Sequence, residues 1–286
     1  VEQKLLTDGE REYTTSLWNQ TVVLLRRGAL AISRDRTATI LTVVRHVAVS
    51  VFFGTIYLHL STGNDFASYT NRMGVLYFNT VFFIVSNLQA LPALIDQRLM
   101  FYRERDSGAC SPAAYWLSIW LVQVPLIAVN VFIYSAILYH MIGLRAGAEH
   151  FFYFYYVLLM MSLWSIQLAG FVASISKTTE IALSYFPIIM FTNVGFAGFL
   201  IFIPQFPPWL GNWGPYISTL RFAFQSLVLN EFQNNSELPS AQIYLENMGF
   251  TSLSKTQTAL ILIPFYFFFN LAFLLALKYI NFEKRQ

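Results

Sequence analysis

The sequence predicts an all-α, polytopic membrane protein of six transmembrane helices. Three observations carry that reading: 56% of the residues are hydrophobic, only 12% are charged, and long apolar runs separate the charged clusters. A soluble domain carries about a quarter charged residues. Here 18 basic and 15 acidic side chains serve 286 residues, too few to cover a soluble core of that size. Apolar runs of about twenty residues suit the hydrocarbon of a bilayer instead.

Residues 16–34 mix Leu17, Val22, Val23, Leu24, Leu25, Leu30 and Ile32 with Asn19, Gln20, Arg26, Arg27 and Arg34. The pattern predicts a basic amphipathic helix at the membrane interface; an ordinary surface helix of a cytosolic segment fits it as well. Residues 1–36 lack the continuous apolar core of a leader, so the first span is expected to act as the insertion signal. That span covers 37–60 and holds Arg45 and His46 near its inner end. A charge inside the hydrocarbon is expensive. Arg45 therefore either snorkels to the inner interface, the simpler reading, or faces a wet interior lined by protein.

A polar turn at 61–65 leads to a second span at 72–95, and 96–111 reads as a charged inner loop. The third span, 112–142, is longer than a bilayer requires and contains Pro125, which predicts a kink or tilt. After an outer turn at 143–149, the rings of Phe151, Phe152, Tyr153, Phe154, Tyr155 and Tyr156 mark an interfacial belt. They open a fourth span that ends near Ser174. A fifth span follows at 181–203, broken by Pro187 and loosened by Gly195 and Gly198. Pro207, Pro208, Gly211 and Gly214 prevent a helix from continuing through 204–215. The apolar stretch 216–230 contains Arg221 and is about fifteen residues long, which suits a re-entrant or interfacial helix better than a span. A polar outer loop at 231–255 precedes the last span at 256–279. The organisation predicted is thus a linker with its amphipathic helix at 1–36 and a six-helix membrane domain at 37–286.

Basic residues set the orientation. With the N-terminus inside, inner segments collect Lys4, Arg11, Arg26, Arg27, Arg34, Arg36, Arg98, Arg103, Arg105, Lys177, Lys278, Lys284 and Arg285. Outer segments hold Arg72, Arg145, Arg221 and Lys255. The bias places both termini in the cytoplasm. A seventh span at 216–230 would put the C-terminal basic cluster outside and weaken it.

Several chemistries are excluded. No G-x-x-x-x-G-K-[ST] phosphate loop occurs in these residues and no Gly precedes a Lys, so they offer ATP hydrolysis no seat. His46, His59, His140 and His150 fall near membrane boundaries on different spans and read as interfacial residues, not metal ligands. The single cysteine, Cys110, forms no internal disulfide and reads as a small buried residue. Dispersed basic residues argue against nucleic acid as a partner. Asp and Glu lie almost wholly in loops, which disfavours an ion-coupled secondary transporter. The spans instead carry uncharged polarity at Asn79, Thr80, Ser86, Asn87, Gln89, Ser184, Thr192 and Asn193. Such residues either wall a path for amphipathic cargo or hydrogen-bond helices together. In the inner segment Asp96, Glu104 and Asp106 alternate with basic residues beside two aromatics. This predicts a short amphipathic helix that docks on a protein domain, since a purely lipid-anchoring loop would carry fewer acids.

Three stretches carry a resemblance to a known family: Asn71-Arg-Met-Gly-Val-Leu-Tyr-Phe78, Phe101-Tyr-Arg-Glu-Arg-Asp-Ser-Gly108, and Arg221-Phe-Ala-Phe-Gln-Ser-Leu-Val-Leu-Asn-Glu-Phe232. Together with the basic pre-helix and the span spacing, they make the chain resemble the transmembrane domain of G-subfamily ATP-binding cassette transporters, the white-brown complex and pleiotropic drug resistance type, with its ABC-2 type membrane domain.

The resemblance implies a role for each segment. Residues 16–34 would be the connecting helix. Gln97, Arg98, Phe101, Tyr102, Arg103, Glu104 and Arg105 would form the cytoplasmic coupling helix that meets a nucleotide-binding domain. Two membrane halves, identical or not, would face each other in a dimer. A cargo cavity would lie between second and fifth spans at Phe82, Val85, Ser86, Phe191, Asn193 and Val194, with an outer gate at Phe199 and Leu200. The implied function is ATP-driven export of lipids, sterols or hydrophobic xenobiotics across, most simply, a plasma membrane. ATP and Mg would bind a nucleotide-binding domain, and no cofactor would bind these residues. The partners implied are that domain, the second half and membrane lipids. Departing from several family members, the loop 231–255 has no cysteine, so dimerisation would rest on packing; Asn234-Asn235-Ser236 is a glycosylation sequon there. The rival reading is a membrane scaffold or receptor whose inner segment recruits a cytosolic partner without transport.

Overall fold

The structure is a computed structural model that describes Tyr13, residues 15–60 and 66–280, and Phe282. The predicted turn at 61–65, most of the linker, and Lys4, Arg11, Lys284 and Arg285 lie outside the described residues. All regular elements among the described residues are helical, as the apolar runs require, because a chain in hydrocarbon must satisfy its backbone polar groups internally.

Helix α1 (Leu17–Arg34) starts on Ser16, whose hydroxyl accepts from the Asn19 N–H, and buries Gln20, Thr21 and Leu24 along one face. Asp35 then caps α2 (Arg36–Ile56) by accepting from Ala38. Helix α3 (Phe66–Ser86) runs through a tight 3-10 segment at Asn87–Ala90 into α4 (Leu91–Asp106). Pro92 explains the tight segment: it lacks the N–H that would bond to Leu88. The amide of Asn87 bridges the interruption, donating to the carbonyls of Phe83 at 3.0 Å and Ser162 at 3.2 Å. The predicted inner loop is therefore corrected: most of 96–111 continues the second span as helix, giving a 41-residue rod from Phe66 to Asp106 that extends for roughly 60 Å.

Helices α5 (Pro112–Ile142), α6 (Ala148–Ile175) and α12 (Lys255–Tyr279) match the expected third, fourth and last spans. Helix α7 (Thr179–Gly195) ends eight residues before the predicted boundary at 203. Beyond it the chain turns at Gly198, whose φ of +83° favours glycine. Helices α8 (Pro208–Gly211) and α9 (Gly214–Ile217) are single turns in the Pro- and Gly-rich segment.

Helix α10 (Thr219–Phe232) is enclosed on every side, with all its residues buried. At 14 residues it rises about 21 Å, too short for a hydrocarbon core of about 30 Å. The expected polar outer loop contains α11 (Ala241–Met248), and Leu238, Ala241, Leu245, Met248 and Phe250 join the main core. Its apolar spacing, i, i+3, i+7, was present in the sequence beneath the polar composition.

Among the described residues, five helices are long and apolar enough to cross a membrane: α2, the α3–α4 rod, α5, α6 and α12. The remaining predicted span, the fifth, corresponds to α7, whose 17 residues rise about 26 Å. Helix α6 is the centre of the bundle, with most of its side chains buried from Phe154 to Ser174. Its closest neighbour is α12, and a Cβ at Gly170 would meet the Phe273 ring at 3.0 to 3.1 Å. Gly170→Leu should therefore cost roughly 1–3 kcal/mol through overpacking. It should unfold at a lower temperature in detergent than Gly170→Ala; a leucine variant with the parental midpoint would contradict this close approach.

Candidate functional site

Apart from Arg45, the described basic residues separate into two groups at opposite ends of the bundle. At the α4 end, α1, α4, the α6–α7 turn and the end of α12 converge. There Arg98, 2% exposed, donates from Nη1 to the carbonyl of Ala173 and, at 2.7 Å, to that of Ser176. Cationic donors at the carbonyl end of α6 satisfy orphan acceptors and complement the helix dipole. Tyr102 donates to the Ile280 carbonyl at 3.0 Å and Arg105 to that of Leu277 at 3.0 Å. Phe101 stacks on Tyr115 with ring centroids 4.4 Å apart. Leu24, Phe101, Tyr102, Cys110, Ala114, Tyr115, Phe273 and Leu277 form a second apolar core that ties α1, α4, α5 and α12 into one body.

The seven predicted coupling residues therefore divide. Arg98, Phe101 and Tyr102 face inward and Arg105 is half-buried, whereas Gln97 and Arg103 are exposed. Glu104 sits between, 28% exposed, and receives two hydrogen bonds from Arg27 of α1, one of them 3.2 Å from Nη2 to Oε2. Those bonds hold the Arg27 guanidinium above its ordinary value against the opposing effect of partial burial. Exposed ion pairs contribute roughly 0.2–1 kcal/mol, so the pair sets the angle of α1 on α4 more than the stability of the fold. Gln20 adds a second clamp, its Oε1 accepting from the Ser111 N–H at 2.9 Å. Burial pushes the Cys110 thiol up to about 11, which keeps it protonated and unreactive at neutral pH.

At the opposite end, Arg72 and Glu231 form an ion pair with side chains 2% and 3% exposed. Arg72 also donates to the Leu60 carbonyl at 3.0 Å, and Glu231 accepts from the Arg145 N–H at 2.9 Å. Arg145 in turn donates to the carbonyls of Gln233 and Asn234 at 2.8 and 2.9 Å. Asn234 itself is exposed in a left-handed turn, φ +55°. Sequence reasoning missed this network. Its signal was an acid, Glu231, at the end of an apolar run, and an arginine, Arg72, inside the opening turns of another. Arg221 lies at the start of α10, the short helix expected at 216–230, buried over the Tyr216 ring at 4.6 Å.

Between the two ends, α3 and α7 each leave an open row. On α3 it is Phe78 and Val85, seven residues apart; on α7 it is Ile181, Ser184, Tyr185, Ile188 and Phe191. Among the eight predicted cavity and gate residues, Val85, Phe191 and Leu200 are exposed. Phe82 turns inward and stacks on Tyr134 at 5.2 Å. Ser86 is buried, and Asn193 is buried with its amide accepting from the Thr219 N–H at 2.9 Å, which anchors the start of α10. The carbonyl of Val194 accepts from the Tyr77 hydroxyl at 3.3 Å, and Phe199 stacks on the same Tyr77 ring at 4.4 Å. Tyr77 thus joins α3 to the end of α7. Among the described residues no group of His, Cys, Asp and Glu is placed to hold a metal ion.

A bundle with membrane-crossing helices, two open apolar rows and a polar, tightly strutted end is a polytopic membrane domain. Residues 19–232 match the ABC-2 type transporter family, and the chain belongs to that family. The sequence is 29% identical over 222 residues to ABC transporter G family member 24 of Dictyostelium discoideum, covering 77% of this chain and 19% of that protein. It is 26% identical over 226 residues to ABC transporter G family member STR2 of Petunia hybrida, covering 78% and 30%. It is also 27% identical over 229 residues to the ABC multidrug transporter atrH of Aspergillus oryzae, covering 79% and 15%. The chain spans less than a third of the length of each of these curated relatives.

Proposed function

We propose that the chain is the membrane-spanning part of an ATP-driven exporter of lipids, sterols or hydrophobic xenobiotics. One observation carries the reading: the α3–α4 rod joins the face around Glu104 to the open row of Phe78 and Val85. Gln97, Arg103 and Glu104 present a mixed-charge face to a nucleotide-binding domain, which binds ATP and Mg. Closure of two such domains pushes α4. The second apolar core and the Arg27–Glu104 strut make α1 move with it, and the rod carries the displacement to the α3 row. In a dimer of two membrane halves, the α3 and α7 rows line the cargo path, with Val85 and Phe191 on its wall and Leu200 near its outer mouth. Phe82, Ser86, Asn193, Val194 and Phe199 shape that wall from behind. The apolar character of the rows selects apolar cargo.

This reading places the α4 end in the cytoplasm of a plasma-membrane protein with both termini on that side. The clustering of Arg26, Arg27, Arg34, Arg36, Arg98, Arg103, Arg105, Lys177 and Lys278 at the α4 end supports it, and α7 then completes six crossings. Asn234 falls on the outer face, where its exposed side chain is open to glycosylation. The test is Glu104→Ala in the complete transporter. Cargo-stimulated ATPase and transport should both fall severalfold while the protein elutes as before; transport at the parental rate would remove the coupling role.

A further inference from the structure

Beneath α1, where α2, α3, α5 and α6 meet, the bundle has an open cavity of about 520 Å³. Its wall is mixed, with Ser86, Asn87, Gln89, Gln123 and Asn130 set among apolar side chains. The one charged group on the wall is Arg45, and no carboxylate lines it. Nine residues separate Arg45 from the start of α2, a rise of about 14 Å along a helix apolar enough to cross a membrane. The structure thus takes the second of the two readings open for Arg45, a protein-lined interior. Its Nη1 donates to the neutral Gln89 amide, and its Nε is buried without a partner. Ser86, 6% exposed, presents a hydroxyl that is likewise unpartnered.

A cation held at this depth against neutral amides alone is incompletely compensated. The compensating charge has to come from a ligand. At the mouth, Leu41 is 61% exposed and Leu126 37% exposed, so the opening is greasy and turned towards lipid. The volume falls in the range that holds small-molecule groups and suits a compact headgroup, with its hydrocarbon leaving between the two leucines.

We infer that this cavity binds an anionic amphiphile from the surrounding leaflet, its phosphate or carboxylate paired with Arg45 and hydrogen-bonded by Gln89 and Ser86. The inference needs only the membrane-spanning fold and holds whether or not the α3 and α7 rows carry cargo.

The experiment is thermal unfolding of the complete protein in dodecyl maltoside micelles, titrated separately with dioleoylphosphatidic acid, oleate, dioleoylphosphatidylcholine and inorganic phosphate. Phosphatidic acid, oleate or both should raise the midpoint, and the zwitterionic lipid and inorganic phosphate should not; the active member of the first pair identifies the headgroup. Arg45→Gln should weaken that amphiphile at least tenfold and Arg45→Lys by less, while Arg26→Gln, a surface change on α1, should leave it unchanged. Without amphiphile, Arg45→Gln should unfold no earlier than the parent, because it removes an uncompensated charge, which separates lost binding from lost folding. An equal response to phosphatidylcholine, an unweakened response in Arg45→Gln, or equal losses in Arg26→Gln and Arg45→Gln would overturn the inference. A full response to inorganic phosphate would assign the cavity to a soluble anion and overturn it as well.

Discussion

Replacing Glu231 by alanine should destabilise the protein by about 3–5 kcal/mol, the loss that follows when one member of a buried ion pair is removed. The alanine leaves Arg72 charged, 2% exposed and without its carboxylate, and it frees the Arg145 N–H that Glu231 accepts. Arg145 keeps its own bonds to the carbonyls of Gln233 and Asn234, so the turn between α5 and α6 loses one of its ties to the end of α10. The expected result is a large drop in the detergent unfolding midpoint. Arg72→Met combined with Glu231→Leu should recover much of the loss, since an apolar pair of similar volume removes both desolvation penalties. A Glu231→Ala protein as stable as its parent would mean the pair is not buried.

Replacing Arg98 by alanine should cost roughly 2–3 kcal/mol, in line with charged hydrogen bonds at a buried site. Three carbonyls at the end of α6 and the following turn, those of Ala173, Ser176 and Lys177, lose a donor, and the Tyr102 and Phe282 rings lose a cation 5.6 and 5.2 Å from their centroids. Arg98→Lys should recover little, because one ammonium cannot span three carbonyls as a planar guanidinium does. Faster hydrogen exchange confined to residues 170–180 is the readout that separates this capping role from a general loss of stability. Unchanged exchange there would contradict the assignment.

Apolar run lengths gave the spans to within a few residues for α2, α5, α6 and α12, because burial in hydrocarbon leaves the backbone no alternative to helix. Boundaries failed where local chemistry was weak. The 3-10 segment at Asn87–Ala90 let α3 continue into α4, because the Leu91 N–H bonds to the Leu88 carbonyl that Pro92 leaves without its helical donor. In the opposite sense, Gly198 ended the fifth span early because its left-handed conformation cannot belong to a helix. Side-chain direction was the other gap. The resemblance implies Phe82 and Asn193 as cavity residues; that Phe82 stacks on Tyr134 and Asn193 holds the start of α10 is visible only in the fold. Arg72 and Glu231 stood out singly as charges beside apolar runs, but which residues pair across long separations, Arg27 with Glu104 and Arg72 with Glu231, is not written in a single sequence.

The claim on which the mechanism rests is that motion at α4 reaches two open rows that meet a second membrane half. Cross-linking between subunits tests it most directly, using Val85→Cys and Phe191→Cys singly in the complete transporter with Cys110 replaced by serine. A short bis-maleimide should join the two subunits at both positions, and a non-hydrolysable ATP analogue should change the yield severalfold. Val129→Cys, 60% exposed on α5, should give no such product. Subunits that join equally well through Val129, or yields at Val85 and Phe191 that ignore nucleotide, would contradict the account.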